Sequence, residues 1–256
     1  SISVDGKTFA FAAGFKGVRG TVCSMLAADA KMFVVTDEGG LYCFGAGATT
    51  PKTYEPRLQP LAAERDSWSH EVERILRKTG KQTGYALVWG VGTGRLIEEL
   101  SLRTRMHIIA VDPDSDKVDA IRRRLDAAGL YGERAVVHAS QPAEFECPPY
   151  LADLVVSEDF SAAGISEGTA FVERVFASLR PYGGVACLSV QNDRAADFAA
   201  SVRKAGLANA KINRVGDLTL LSRNGALPGA SDYTGKWSSK DERVKAILIN
   251  IFGGIL

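Results

Sequence analysis

The chain has 256 residues and a net charge of +1, and 46% of its residues are hydrophobic while 24% are charged. This length allows one large domain, or one medium domain with an appendage. The near-neutral charge gives no basic surface for nucleic acid or an anionic membrane, and the composition excludes a mostly disordered chain. No apolar run reaches the roughly 18 residues that a membrane helix needs. We therefore expect neither a nucleic-acid nor a membrane partner.

Residues 1–10 lack the basic start and apolar stretch of a signal peptide, so a cytoplasmic location is the default expectation. The 4 cysteines and 3 histidines are scattered along the chain, without the short spacings of zinc ligands. We expect no metal site. Cys43 and Cys187 lie in apolar, strand-like runs, which predicts that both are buried and inert.

Residues 1–60 are interpreted as a β-rich flank followed by a linker. Residues 31–36 and 41–44 are β-type runs, and the turn sequence Asp37-Glu-Gly-Gly40 between them predicts a hairpin. The segment before the hairpin is expected to be irregular. Prolines and threonines with little periodicity indicate a linker over residues 46–60.

Residues 61–223 alternate between helical and strand-like segments. A helix capped by Asp66 or Ser67 comes first and ends at Gly80. The strands are short and apolar, which is typical of a parallel sheet covered by helices on both faces. The final two strands predict an antiparallel hairpin at the edge. The predicted strands are residues 85–89, 106–111, 134–138, 152–157, 185–190, 210–215 and 218–222, and the later helices are residues 93–102, 115–128, 169–179 and 195–205.

A glycine-rich turn stands where the first of these strands meets its helix, in Val88-Trp-Gly-Val-Gly-Thr-Gly-Arg95. Glycines let a ligand approach backbone N–H groups and the positive end of a helix. A dinucleotide fingerprint would have its third glycine where Arg95 stands, which disfavours a nicotinamide-dependent oxidoreductase. Asp112, at the tip of the next strand, can accept hydrogen bonds from both ribose hydroxyls of an adenosine. The alternative is that residues 112–114 cap a helix.

Together with residues 152–158 and Leu179-Arg-Pro-Tyr-Gly-Gly184, the turn and the acid resemble the motif series of class I S-adenosylmethionine-dependent methyltransferases. The resemblance implies an α/β, Rossmann-like fold with a mostly parallel seven-stranded sheet, an antiparallel last strand and small β-rich flanks. It implies S-adenosylmethionine as the cofactor and a small-molecule or protein methyl acceptor. The cofactor-binding residues that it implies are Gly90, Gly92, Gly94, Asp112, Pro113, Ser140 and Gln141.

Glu158 and Asp159 follow the fourth strand, at the tip that would face the methyl group. They are the candidates for a catalytic base, which is needed only if the acceptor must lose a proton. The alternative is that they cap the next segment or stay solvated. Three consecutive arginines, residues 122–124, point in different directions on a helix and predict a solvated face.

Two departures from the methyltransferase pattern favour a second hypothesis. Trp89 stands where the family usually has an acid that anchors the methionine amino group, and Ser140 and Gln141 stand where an acid often binds adenine. These departures favour a catalytically inactive, methyltransferase-like binding or scaffold domain.

The flanks carry resemblances of their own. Residues 31–45 resemble one hairpin of a pyrroloquinoline-quinone-type β-propeller blade, and the whole chain resembles bacterial proteins in which such repeats flank a methyltransferase-like domain. Residues 244–255 resemble a strand–turn segment of the succinate–CoA ligase β subunit, and we infer no activity from it. The third zone, residues 224–256, is polar and then ends in an apolar run at residues 246–252. This run and the hairpin should be buried, by packing together, by docking on the α/β domain, or in a homo-oligomer formed through the flanks, and mutual packing is favoured.

Overall fold

The computed structural model describes residues 2–4, 7–9, 17–45, 47, 50–55, 57–190 and 194–230. The chain divides into two compact units, Ser1–Pro56 and Arg57–Leu256. The apolar run at residues 246–252, expected to pack against the hairpin, lies outside the described residues.

The first unit contains two small antiparallel sheets. One of them joins β1 (Ile2–Val4) and β2 (Lys7–Phe9), and the other has the order β3 (Val22–Ala28), β4 (Lys31–Thr36) and β5 (Leu41–Phe44). The predicted hairpin is β4–β5. The expectation of an irregular segment before it is wrong, because β3 pairs along β4.

Cys43 is exposed, so the prediction that it is buried is wrong. Side chains alternate across β4, and Met32 and Val34 are buried while Val35 is exposed. Cys43 pairs with Phe33 and therefore shares the face of Val35, opposite to the buried one. Cys187, in the second unit, is buried as predicted.

The second unit is built on a seven-stranded sheet with the order β11-β12-β10-β9-β6-β7-β8. Only β12 runs antiparallel to its neighbours, β10 and β11. The predicted α/β, Rossmann-like fold with an antiparallel last strand is confirmed, although β12 lies between β10 and β11 rather than at the edge. The strands are β6 (Tyr85–Trp89), β7 (His107–Asp112), β8 (Ala135–Ala139), β9 (Leu154–Val156), β10 (Gly184–Leu188), β11 (Ala210–Val215) and β12 (Leu218–Arg223).

Helices cover both faces of this sheet, which explains why its central strands are apolar throughout. In β6, Ala86 and Val88 belong to one buried core, and Leu87 and Trp89 belong to the other. Asp66, one of the two predicted caps, accepts a hydrogen bond from the Ser69 amide at the start of α1. The helices are α1 (Ser67–Thr79), α2 (Arg95–Arg103), α3 (Ser115–Ala127), α4 (Phe160–Ala163), a 3-10 turn (Ile165–Glu167), α5 (Thr169–Ser178) and α6 (Ala195–Lys204).

None of the described helices is both long and apolar enough to cross a membrane.

Candidate cofactor site

The glycine turn joins β6 to α2 at the edge of the sheet where the parallel strands end. The φ angles of Gly90, Gly92 and Gly94 are 78°, 52° and 86°, a region that side chains other than glycine rarely adopt. The Gly90 amide donates to the Val111 carbonyl (2.8 Å) on β7. Gly94 is the N-cap residue of α2, so the helix begins at Arg95 rather than at residue 93 as predicted.

All three glycines face atoms of the chain itself. A Cβ on Gly90 would collide with the carbonyl oxygen of Asp159, and one on Gly92 would lie 2.7 Å from the Glu158 Cγ. A Cβ on Gly94 would lie 2.6 Å from Arg124 Nη2. Glycine is therefore needed here for close packing within the chain, in addition to any approach by a ligand.

Asp112 ties the glycine turn to the neighbouring strand. Its side chain is fully buried, with 0% exposed, and Oδ2 accepts from the Val91 amide (2.8 Å). Oδ1 accepts from the Asp114 amide (2.9 Å). The alternative prediction was that residues 112–114 cap a helix. Asp114 is the residue that caps α3. Asp112 thus braces the turn, and each of its carboxylate oxygens keeps one further lone pair for a ribose hydroxyl.

The other predicted cofactor residues lie close to Asp112 in the sequence or on the neighbouring strand. Pro113 is half-buried between the two acids. The Ser140 amide donates to the Asp112 carbonyl (3.1 Å), which places the end of β8 next to the end of β7. Gln141 is exposed, and its carbonyl accepts from the Glu144 amide (2.9 Å) in the turn that follows.

Glu158 lies directly on the glycine turn. Its Oε1 accepts from the Thr93 amide (2.7 Å) and the Thr93 hydroxyl (2.5 Å), and Oε2 accepts from the Leu96 amide (3.0 Å). Its own amide donates to the Gly90 carbonyl (3.1 Å). Burial raises the pKa of Glu158, against the opposing effect of these hydrogen bonds. The hydrogen bonds hold the Glu158 carboxyl group at the start of α2, where the amides and the helix dipole favour an anion, while its burial is the larger effect and opposes the charged form.

Asp159 has the capping role that was the alternative to catalysis. Its Oδ1 accepts from the Ala162 amide (3.1 Å) at the start of α4. Oδ2 lies 3.6 Å from the Lys117 ammonium on α3. The amide of Asp159 also donates to the Gly90 carbonyl (3.2 Å), so Glu158 and Asp159 together close the tip of β9 onto the turn.

Charged side chains that were not among the predicted site residues support the turn. Arg124 donates from Nη2 to the Thr93 carbonyl (2.6 Å) and from Nε to Glu98 (2.7 Å). The side chain of Arg124 is still 43% exposed, which agrees with the solvated face predicted for residues 122–124. Its contacts join α3 to the turn, and only the tertiary fold brings these elements together.

Trp89 belongs to the core on the other side of the sheet. Its side chain is only 1% exposed, and the guanidinium carbon of Arg174 lies 5.7 Å from its ring centroid. At the tip of β9, the Ser157 hydroxyl is buried and has no hydrogen-bond partner among the described residues.

The structure thus brings the predicted residues together where the parallel strands end. Backbone hydrogen bonds join Ser140 to Asp112, and Glu158 and Asp159 to Gly90, while the Asp112 side chain joins the turn through the Val91 amide. Within the described part of the chain, no group of three or more His, Cys, Asp or Glu residues is placed to hold a metal ion.

Comparisons with known proteins point in the same direction. Residues 86–183 match the family model described as a methyltransferase domain. A provisionally assigned S-adenosyl-L-methionine-dependent methyltransferase of Methanococcus maripaludis superposes with a TM-score of 0.53 at 14% identity, over 62% of this chain and 84% of that chain. A SAM-dependent methyltransferase from Aquifex aeolicus matches at 17% identity over 59% of this chain and 88% of its own. Its TM-score is 0.46, and the fold assignment does not rest on it. A search of curated proteins gave no significant match.

The family match lies wholly within the α/β unit and includes the glycine turn, Asp112, Glu158 and Asp159. It does not extend to the first unit, so the resemblance of residues 31–45 to a propeller blade stays a prediction. The second unit therefore has the class I methyltransferase fold, and the family match supports S-adenosylmethionine as its cofactor.

Proposed function

We propose that the α/β unit binds S-adenosylmethionine and transfers its methyl group to a small polar acceptor. The observation that carries this proposal is the hydrogen bond between Asp112 and the amide of Val91 (2.8 Å). It joins a glycine turn and an acid across the carboxyl ends of two adjacent parallel strands, where open α/β sheets bind ligands.

The residues at this edge fit the adenosine part of the cofactor. Asp112 would accept from the ribose hydroxyls with the remaining lone pairs of its carboxylate, which is buried in this structure and would have to become accessible to the ligand. Ser140 and Gln141 follow the adjacent strand and would border the adenine. When bound, the cofactor supplies a methyl group already activated on a sulfonium, so the task of the chain is to hold the cofactor and align the acceptor.

The proposed place for a small acceptor is a cavity formed by the 3-10 turn, the segment after β10 and α6, and its lining includes none of the predicted cofactor or catalytic residues. Its volume is about 240 Å³, which is below the roughly 300–1,000 Å³ of sites for drug-sized ligands. Its lining combines apolar and polar side chains, including those of Ile165, Val190, Phe198, Arg194, Asp197 and Ser201. A small acceptor with polar or charged groups would find partners there.

Glu158 and Asp159 stay candidates for the base. Asp159 is the more available, because its carboxylate accepts from the Ala162 amide through Oδ1 while Oδ2 lies 3.6 Å from the Lys117 ammonium. Glu158 would first have to leave three donors on Thr93 and Leu96.

Calorimetry with S-adenosylhomocysteine tests the cofactor site, with NADH as the control ligand. We expect binding of the former only. If no heat is seen at millimolar S-adenosylhomocysteine, or if NADH binds better, the proposed function is wrong.

A second candidate is a domain that binds ligands without catalysis, favoured by Trp89 and by the position of Glu158 on the turn. Transfer of a radiolabelled methyl group from S-adenosylmethionine to small molecules of a cell extract distinguishes the two. We expect label transfer by the parent and a loss with Asp112→Ala. Cofactor binding without label transfer to any acceptor would favour the second candidate.

A further inference from the structure

The position of Glu158 has a consequence for which ligands the site accepts. A carboxylate already occupies the start of α2, where the amides of Thr93 and Leu96 and the Thr93 hydroxyl donate to it. The methionine end of S-adenosylmethionine also carries a carboxylate, and this end would seek the same donors.

The space over the turn is also filled. An added Cβ on Gly92 would meet the Glu158 Cγ at 2.7 Å and Oε1 at 2.9 Å. The side chain of Glu158 therefore covers the middle glycine of the turn. A ligand that approaches the backbone of Gly92 must displace it.

Like charge adds to this steric conflict. Two carboxylates that share one set of donors repel each other, and a second anion beside Glu158 would be destabilised. In the proposed function the adenosine end would bind at Asp112, whose partners are the amides of Val91 and Asp114, so it would not need the Thr93 and Leu96 donors that Glu158 uses.

We propose that Glu158 acts as an internal substitute for the cofactor carboxylate, so that the site in this conformation prefers adenosine ligands without an amino-acid tail. Methyl transfer then requires Glu158 to leave the turn. This inference rests on the proposed cofactor site and assigns its ligand selectivity to one residue. The neutral thioether 5′-methylthioadenosine represents the tail-free class.

The test compares two ligands and three variants by calorimetry. The parent should bind S-adenosylhomocysteine about tenfold or more weakly than 5′-methylthioadenosine, because only the fraction of molecules with Glu158 displaced is competent for the former. Glu158→Ala should tighten S-adenosylhomocysteine by about tenfold and change 5′-methylthioadenosine by less than about threefold. Glu158→Gln keeps the shape without the charge and should give a smaller gain. Glu173→Gln, at an exposed position of α5, is the control and should change neither ligand.

The outcomes separate this inference from the proposed function. If the parent prefers S-adenosylhomocysteine, or if Glu158→Ala weakens its binding, Glu158 holds the cofactor rather than replacing its carboxylate, and the inference is wrong while the cofactor site stands. If neither ligand binds any variant, the cofactor site and the inference are both wrong. Thermal melting of each variant identifies loss of fold, and should Glu158→Ala unfold, Glu158→Gln decides the result.

Discussion

Asp112 combines a structural task with a candidate binding task at one position. Its two oxygens accept from the buried amide of Val91 and from the amide of Asp114, so the same carboxylate shapes the turn that it would share with a ribose. The binding and folding consequences of its removal therefore have to be measured separately.

Asp112→Ala should lower the free energy of unfolding by about 1–3 kcal/mol, because the Val91 amide loses its acceptor in a buried position. It should also weaken S-adenosylhomocysteine by about 1.5–3 kcal/mol. Urea denaturation and calorimetry measure the two effects. Asp112→Asn is the matched control, since it retains one oxygen acceptor and should be milder in both. Unchanged ligand affinity in a folded Asp112→Ala protein would leave Asp112 with a structural role alone.

The pKa of Glu158 predicts a pH dependence of stability. Burial raises this pKa above the value of 4.5 of an unperturbed glutamate, so the folded state holds the proton more tightly than the unfolded state. The contribution of Glu158 to stability is then fully present below about pH 4.5 and is lost as the pH rises through its folded pKa. The difference in unfolding free energy between the parent and Glu158→Gln should therefore shift against the parent over this range. A difference that moves in favour of the parent as the pH rises would mean that the hydrogen bonds from Thr93 and Leu96 outweigh burial.

Local sequence patterns predicted most elements of the α/β unit and failed where the elements are short or exposed. The run at β6 is apolar throughout and is followed by glycines, which marks a buried strand and its end. In contrast, β3 is mostly exposed. The turn from β3 to β4 is formed by Asp29 and Ala30, whose φ angles are 46° and 53°. Because neither residue is a glycine, the sequence gives no signal for this turn. The helix α4 has 4 residues, too few to show a helical period.

The candidate site was predictable in part for the same reason. Gly90, Gly92, Gly94 and Asp112 belong to a local pattern of strand, turn and strand tip. The contact of Glu158 with Thr93 depends on the pairing of β9 with β6, two strands that are distant in the sequence. No local pattern contains that contact.

At the scale of elements, Arg95 links two helices. Its Nε donates to Asp66, the cap of α1 (2.9 Å), and its Nη2 donates to Glu99 (2.7 Å), which is only 1% exposed. The hydrogen bond from Arg95 is also the main cause that lowers the pKa of Asp66, so that ion pair weakens as the pH falls into the range where Asp66 takes up a proton.

Arg95→Met should lower the free energy of unfolding by about 2 kcal/mol at neutral pH. This is less than the roughly 3–5 kcal/mol for a buried ion pair with no compensation, because Glu99 keeps its ion pair with Arg103. Urea denaturation measures the change. Arg123→Met, on the exposed side of α3, is the control and should have no measurable effect. Equal stabilities of the two variants would show that the link between α1 and α2 contributes nothing.

At the scale of the whole molecule, the four thiols report on both units at once. Burial raises the pKa of Cys187 to about 12, so only about one molecule in 10⁴ carries this thiolate at pH 8. Cys23 and Cys43 are exposed, and Cys147 is half-buried with its pKa raised by burial.

A thiol-reactive disulfide reagent at pH 8 should therefore modify two cysteines quickly, a third slowly, and Cys187 only after unfolding. Absorbance of the released thiolate gives the count with time. In a variant with Cys23→Ser and Cys43→Ser, the fast phase should disappear. A fast phase that survives in this variant would place the reactive thiols in the α/β unit and contradict the exposure of Cys43.

The apolar residues at the C-terminus carry the remaining prediction from the sequence. The apolar run at residues 246–252 lies outside the described residues, and the expectation from the sequence is that it is buried against the hairpin of residues 31–44, against the α/β domain or against another copy of the chain. Deletion of residues 239–256 should lower the melting temperature or change the oligomeric state, as measured by calorimetry and gel filtration. A shortened protein with the oligomeric state and heat stability of the parent would exclude a structural role for this segment.

Glu158 also has a kinetic consequence, because it is tethered to the turn that it covers. Its return to the Thr93 and Leu96 donors is a unimolecular event, whose effective concentration is set by the chain and does not change on dilution. A ligand that must wait for Glu158 to leave cannot associate faster than this opening occurs. The observed association rate of S-adenosylhomocysteine would then rise with ligand concentration and level off. The plateau would measure the rate at which the Glu158 side chain leaves the Thr93 and Leu96 donors.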